Sequence, residues 1–536
     1  MKKHSKETFT QNIIALLISQ ILIKFLGIIY KLYITNRQGF GDAGNAISAS
    51  SYQVYALILS LSAIGLPSAI SKIVAERGSQ GDGRGAYKIL KVSLLLFSII
   101  GIIGSITVGV MAKEIATVYL KIPEAELSII AIAPSIFFTS IISVFKGYFG
   151  GRENLKVTAK AQSIDQVTKT VMTFILIELS VILTHNPDTT IMAACSCLAI
   201  TVANLLECAF LVKKYITERP IIRQEVKESI HNTRAKTFQI IKEIAIVSIP
   251  ISLSALIGTI SKNIDATTIV NKLKDKIGYE QAKIQYGILS GKVDTLINFP
   301  LSFNMAITTA LLPNIAASNG DLKTKEERIN KSILFGAMIS IPIIMLFMIF
   351  GKEILKVLFP NASDGSEILK ISSLSIIFIA LGQTFNGVLY GIGKTNIPII
   401  SVSVGVIAKL ICNQILVPHV EWKIGGTVGA AIGGIIYNAT TMIISYIAIK
   451  KYTPIIIKKS SIIKPILAST IMAIISKMIF EYLILSTKLS IALIITIFIG
   501  AIIYIMLLIL MKAIRVNEIS IIICGMKRRE NNVEKT

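Results

Sequence analysis

Four apolar segments carry polar side chains at the spacing of a single helix face. The first offers Gln20, Lys24, Gly27 and Lys31, and the second Ser62, Gly65, Ala69, Lys72 and Glu76. A later pair offers Ser248, Ser252, Ala255, Thr259 and Lys262 with Asp265 just beyond, then Asp294, Asn298, Ser302 and Thr309 with Lys292 nearby. Lys24 stands in the middle of its run. An ammonium there costs about 3 kcal/mol in a bilayer unless it meets water or a partner. Three outcomes satisfy that cost. Lys24 can line a hydrated cavity and bind an anion, pair with a buried carboxylate such as Asp294, or run its stem to an interface. Lys292 and Asp294 divide between a site and a structural ion pair, and Lys72, at a helix end, between a site and a topology charge.

The elements that must position these residues are membrane helices. The chain has 536 residues, 53% hydrophobic and 16% charged, with a mean hydropathy of +0.70. Apolar runs of about 20 residues recur throughout, the length that crosses the hydrocarbon, and the alternating ten-residue pattern of a barrel is absent. Fourteen spans are expected, near 10–34, 51–74, 87–112, 127–149, 158–183, 189–212, 241–265, 286–312, 331–350, 366–390, 396–417, 426–449, 462–484 and 489–512. The first is too long for a signal-peptide core and lacks a small-residue cleavage site, so it is expected to stay as a helix.

One stretch is written twice. FKGYFGGRENLKVTAKAQSIDQVTK (145–169) and FNGVLYGIGKTNIPIISVSVGVIAK (385–409) align at a constant offset, with Phe145 on Phe385, Gly147 on Gly387, Gly151 on Gly391 and Lys169 on Lys409. Pro67 and Pro313 recur similarly near the ends of spans two and eight, where a proline can kink a helix. The repeat predicts an all-α polytopic protein with two six-helix lobes related by a pseudo-two-fold axis. The expected parts are an N-terminal lobe (1–213), a basic cytoplasmic linker (214–240), a C-terminal lobe (241–450), an appendage of spans thirteen and fourteen (451–512) and a cytoplasmic tail (513–536). Spans 1 and 7, and 2 and 8, are then equivalent pairs whose polar faces converge on one cavity.

The net charge of +24 is concentrated in loops of one side, notably Lys213 to Lys242. This reads as a positive-inside signal facing anionic phospholipid, with both termini cytoplasmic, and not as a nucleic-acid surface. Lys272, Lys274, Lys276 and Lys283 break the trend, marking either a functional external loop or a displaced span boundary. The five cysteines form no CxxC pair, and with four histidines no metal site is expected. Asp165 and Lys169 are spaced for a local ion pair. Glu178 and Glu207 either sit near the membrane interfaces or bind a coupling ion, and Gly429, Gly433 and Gly434 mark close helix packing. Walker, HExxH and GxSxG patterns are missing, which points to a transporter and not an enzyme.

The stretches Ser19–Ile34, Tyr52–Glu76, Phe145–Val167, Ser248–Ile269 and Leu296–Ser318 resemble the MOP exporter superfamily. The similarity is to its polysaccharide-biosynthesis branch, which holds the stage V sporulation protein B group and the lipid II flippases. The resemblance implies a flippase carrying an undecaprenyl-diphosphate-linked sugar precursor from the inner to the outer leaflet of a bacterial cytoplasmic membrane by alternating access. It also implies that Lys24, Lys72 and Lys292 contact the diphosphate, and that the two extra helices hold the lipid tail. The family's arginine on the eighth helix has no clear match, since Lys292 is close and Asp294 is acidic. The chain is expected to be a monomer that meets cell-wall synthesis proteins, with sodium, protons or the membrane potential as energy source and no cofactor. The rivals are a cation-coupled drug exporter, a membrane-embedded glycan polymerase and a regulatory membrane partner in sporulation.

Overall fold

The computed structural model describes residues 19–20, 22–60, 65–229, 237–302, 304, 322–392, 394, 396–453 and 458–513. Among them there is no strand. The helices are α1 (22–36), α2 (Gly41–Leu59), α3 (Gly65–Ser79), α4 (Gly83–Val110), α5 (Ala125–Gly151), α6 (Leu155–Thr184), α7 (Thr189–Lys227), α8 (Thr237–Ile277) and α9 (Tyr279–Gly287). After these come α10 (Leu322–Leu358), α11 (Ser366–Ser373), α12 (Ser375–Gly391), α13 (Asn396–Leu416), α14 (Gly426–Tyr452), α15 (Ser460–Leu483) and α16 (Leu489–Leu510). Where they are described, the expected spans fall on helical stretches, and the fold is an all-α polytopic membrane fold. Eleven helices among the described residues are long and apolar enough to cross a bilayer. The first, second and eighth expected spans each run over residues outside the described set. Apolar side chains such as Ile103 and Ile106 on α4 and Ile494 and Phe498 on α16 are exposed, as a lipid-facing surface requires.

The repeat survives in the backbone. α5 ends at Gly151 and α12 at Gly391. The residue after each, Arg152 or Ile392, donates its N–H to carbonyls two and four positions back. Asn154 N–H reaches Phe149 O at 2.9 Å, as Lys394 N–H reaches Leu389 O at 2.9 Å. The same turn closes both helix pairs.

Three elements differ from expectation. Span two begins ten residues early, because α2 starts at Gly41 and buries Asn45, Ser48, Ser50 and Ser51. Their low hydropathy hid a helix in which Ser50 and Ser51 donate back to Ile47 O. Pro67 lies on α3; residues 61–64 just before it, where a kink would show, and Pro313 lie outside the described residues. The first part of the basic linker, to Lys227, is helical, since α7 continues past Pro220, tied by ion pairs Lys214–Glu218 and Arg152–Glu225. Likewise Lys272, Lys274 and Lys276 belong to the last turns of α8 and extend that helix beyond the expected span.

The chain divides into two compact units, Met1–Thr295 with Val402–Tyr437, and Leu296–Ser401 with Asn438–Thr536. The first has a core of Leu66, Ile70, Phe145, Tyr148, Phe149 and Leu211, contributed by α3, α5 and α7. Gly147 and Gly151 let α5 lie on α3, because a Cβ at either would strike the α3 backbone and side chains. In the second unit α12 packs on α10 through Ile329, Ile333, Phe385 and Leu389. The two extra helices, α15 and α16, also pack on α10: Tyr504 OH donates to Met338 O at 3.0 Å, beside Met472 and Leu508.

Candidate functional site

The polar stripes meet very different environments. Lys24 is exposed on α1, with no ion-pair partner among the described residues. Its neighbours on the stripe fix α1 along α6: Gln20 Nε2 donates to Gln162 Oε1 at 3.1 Å, and Gly27 lies against Gln166. Lys24 stands between these two points. Of the three options that the sequence leaves for this residue, pairing with Asp294 is not the one seen, since Asp294 bonds Lys262. Lys72 is exposed near the end of α3, loosely paired with Glu76 at 3.9 Å.

Lys292 is the opposite case. Its side chain is 0% exposed and its Nζ lies 2.8 Å from Asp42 Oδ2. In this structure the third expected anion-binding cation is therefore closed to a ligand. The cause is local. Lys292 sits in a π turn, Ile288–Val293, that follows α9, flanked by Gly287 and Gly291. A Cβ at Gly287 would fall on Asp42 O, and one at Gly291 would meet the Asn45 side chain at 2.6 Å. Two glycines four apart thus bring this backbone onto α2. Lys31 joins the cluster by donating to Asn45 Oδ1 at 2.5 Å. Asp42 and Asn45 were missed by hydropathy, but the GxxxG spacing of 287 and 291 is a readable signal of the contact.

Spans two and seven face each other antiparallel along their full length. Asn263 Nδ2 donates to Gln53 O at 3.3 Å. Gly65 abuts Ser248 O and Ser252 Oγ so closely that a Cβ would collide, and Arg77 bonds Glu243 at 3.3 Å. Ser252 is 7% exposed in this seam. Thr259, two turns on, returns its hydroxyl to Ala255 O. At the α9 end, Glu124 accepts from Lys283 Nζ at 2.6 Å and from Tyr279 OH at 2.5 Å. Burial pushes the Glu124 carboxyl up, but these two donors outweigh it and hold it below its ordinary range.

Asp265 on α8 receives Lys409 Nζ at 2.6 Å on one oxygen and Asn413 Nδ2 at 3.0 Å on the other. Lys409 also bonds Ser261 O at 2.8 Å. Gly433 of α14 packs against Asn413 and Lys409, as the small-residue run led one to expect. Its repeat-mate Lys169 forms no ion pair with Asp165. Instead its ammonium lies over the rings of Tyr30 and Tyr52, 5.1 and 5.7 Å from their centroids. Glu207 is buried and paired with Lys146 at 2.7 Å, and Glu178 accepts from Arg37 and Tyr33. Asn298 is exposed, Ser302 bonds Asn298 O, and Ser62 lies outside the described residues. Among the described residues no group of His, Cys, Asp and Glu could hold a metal ion.

The fold has counterparts. A family model for polysaccharide biosynthesis proteins matches residues 9–319, more than half of the chain, and a MatE model matches 290–415. Stage V sporulation protein B of Bacillus subtilis (strain 168) is 23% identical over 523 residues, 96% of this chain and 98% of that relative. Lipid II flippase MurJ of the same organism is 22% identical over 431 residues, 77% of each. The solved structure of a lipid II flippase MurJ in an inward closed conformation superposes with a TM-score of 0.71 at 15% identity, covering 93% of this chain and 98% of that one. The chain is a multi-pass membrane protein that belongs to the polysaccharide biosynthesis family of the MOP superfamily.

Proposed function

We propose that the protein is a flippase for an undecaprenyl-diphosphate-linked saccharide, lipid II or a related cell-wall or surface-polysaccharide intermediate. It moves the head from the inner to the outer leaflet of a bacterial cytoplasmic membrane by alternating access, with both termini cytoplasmic. The observation that carries the proposal is Lys24, an exposed ammonium on α1 that falls mid-way along the first expected span, inside a family named for polysaccharide biosynthesis. A diphosphate cannot cross hydrocarbon bare, and a hydrated cationic face is what lowers that barrier. Lys24 and Lys72 meet the diphosphate first. Lys292 becomes a ligand when α2 and the turn after α9 part and the diphosphate replaces Asp42. The apolar faces of α15 and α16 hold the polyprenyl tail. Energy comes from a sodium or proton gradient or from the membrane potential acting on such charges.

Complementation of a strain depleted of its lipid II flippase tests this. The wild type is expected to restore growth, and Lys24→Ala at equal membrane abundance to fail. A wild type that reaches the membrane without rescue removes the peptidoglycan substrate, and rescue by Lys24→Ala removes its phosphate-binding role. The MatE match favours a second reading, a cation-coupled drug exporter. That reading requires drug resistance to rise on expression, with Lys24→Ala having no effect on it.

A further inference from the structure

A polar cavity lies in the first unit, walled by α2, α3, α5, α6 and α7, with a volume of about 550 Å³. That is within the roughly 300–1,000 Å³ of small-molecule sites. Its charges cancel. Lys146 is spent on Glu207 at 2.7 Å, with Glu207 4% exposed. Lys169 is held over the Tyr52 and Tyr30 rings, which leaves the Asp165 carboxylate facing the cavity without an ion-pair partner among the described residues. Two acids and two ammonium groups favour neither a second diphosphate nor a free cation, which either lysine would repel.

The uncharged groups are ordered. Asn204 Nδ2 donates to Tyr55 OH at 3.2 Å and to Thr139 Oγ1 at 3.1 Å, and the two hydroxyls lie 2.8 Å apart. Tyr52 remains 40% exposed beside them. A neutral ligand rich in hydroxyls, with an apolar C–H face for the tyrosine, matches this lining. The cavity also adjoins the cationic face, because Gln162, which lines it, is the residue bonded by Gln20, one turn from Lys24.

The geometry points to this cavity as the subsite for the saccharide attached to the diphosphate, with Asp165 accepting sugar hydroxyls and Tyr52 packing on the ring. The inference rests on the flippase proposal and assigns its head-group selectivity to the N-terminal half.

The test is binding of two probes, undecaprenyl diphosphate and lipid II, to the purified full-length chain. Wild type is expected to bind lipid II about tenfold more tightly, the value of one or two well-placed hydrogen bonds. Asp165→Asn and Tyr52→Leu should each erase most of that preference without weakening undecaprenyl diphosphate, and Tyr52→Phe should keep it. Lys24→Ala should weaken both lipids alike. Equal affinity of wild type for the two lipids overturns the subsite and leaves the flippase proposal standing, whereas binding of neither overturns both. A variant effect shared equally by the two lipids, or one confined to sodium or pH dependence of transport, also overturns the sugar assignment. Unchanged thermal midpoints for Asp165→Asn and Tyr52→Phe exclude misfolding as the cause.

Discussion

A buried ammonium such as Lys292 is tolerated only because Asp42 answers it at 2.8 Å. Removing one partner leaves the other charged and dry, which costs about 3–5 kcal/mol. Lys292→Ala should therefore lower stability in detergent by that order, whereas Asp42→Asn with Lys292→Met should cost far less. A thermal-melt double-mutant cycle measures the difference, and equal losses from single and double variants would show that the pair is not coupled. The cluster of Glu124, Lys283 and Tyr279 carries a pH signature. The depressed Glu124 carboxyl contributes stability above the ordinary carboxylate range and loses it as pH falls through the lowered value. For Lys283, burial lowers the ammonium, but the Glu124 and Glu280 carboxylates outweigh it and raise it. Its contribution is complete below the ordinary lysine range and is lost as pH rises through the raised value. Glu124→Gln should thus lower the melting midpoint across the neutral range, by at most about 1 kcal/mol after solvent screening. The gap to wild type should close in acid; a gap that widens there would contradict the assignment.

At the scale of elements, glycines decide where helices touch. Gly287 lets the start of the π turn rest on the α2 backbone at Asp42. Gly287→Ala should cost about 1–3 kcal/mol by overpacking, while Gly434→Ala, with nothing within 4 Å of its Cβ, should cost almost nothing. Thermal melts of the two variants check this, and matching losses would refute the close approach. The duplicated turn was legible because its glycines and its offset are local, and the structure repeats even its hydrogen bonds. The start of α2 was not, because Asn45, Ser48 and Ser50 dilute hydropathy while remaining buried. The end of α8 was hidden by lysines that project from a continuing helix. The stripes on α1 and α8 were legible as faces. What each face would meet was not, since Lys292 finds Asp42 across 250 residues and nothing in either segment marks the partner. Asp165 and Lys169 show the same limit: the spacing favours a pair, but Tyr30 and Tyr52, brought from α1 and α2, capture the ammonium instead.

For the molecule as a transporter, the decisive feature is the antiparallel seam between α2–α3 and α8. Gln53 meets Asn263, Gly65 meets Ser248 and Ser252, and Arg77 meets Glu243. These contacts are polar or small-residue contacts, but at the α3 end Ile240 and Ile244 of α8 share the apolar core of Ile70, Ile73 and Val74, so that end carries the apolar cost of any opening. A two-state carrier requires at least one end of the seam to separate in each cycle. With the five native cysteines replaced, Arg77→Cys with Glu243→Cys, bridged by a short bis-thiol reagent, should hold the α3 end shut. Transport of fluorescent lipid II across proteoliposomes is then expected to fall to the protein-free rate and to recover when a cleavable reagent is reduced. The unbridged double variant controls for loss of the ion pair itself, which is partly exposed and worth less than about 1 kcal/mol. Undiminished transport by the fully bridged protein would mean that this end of the seam never opens, and the route of the head group would have to lie elsewhere.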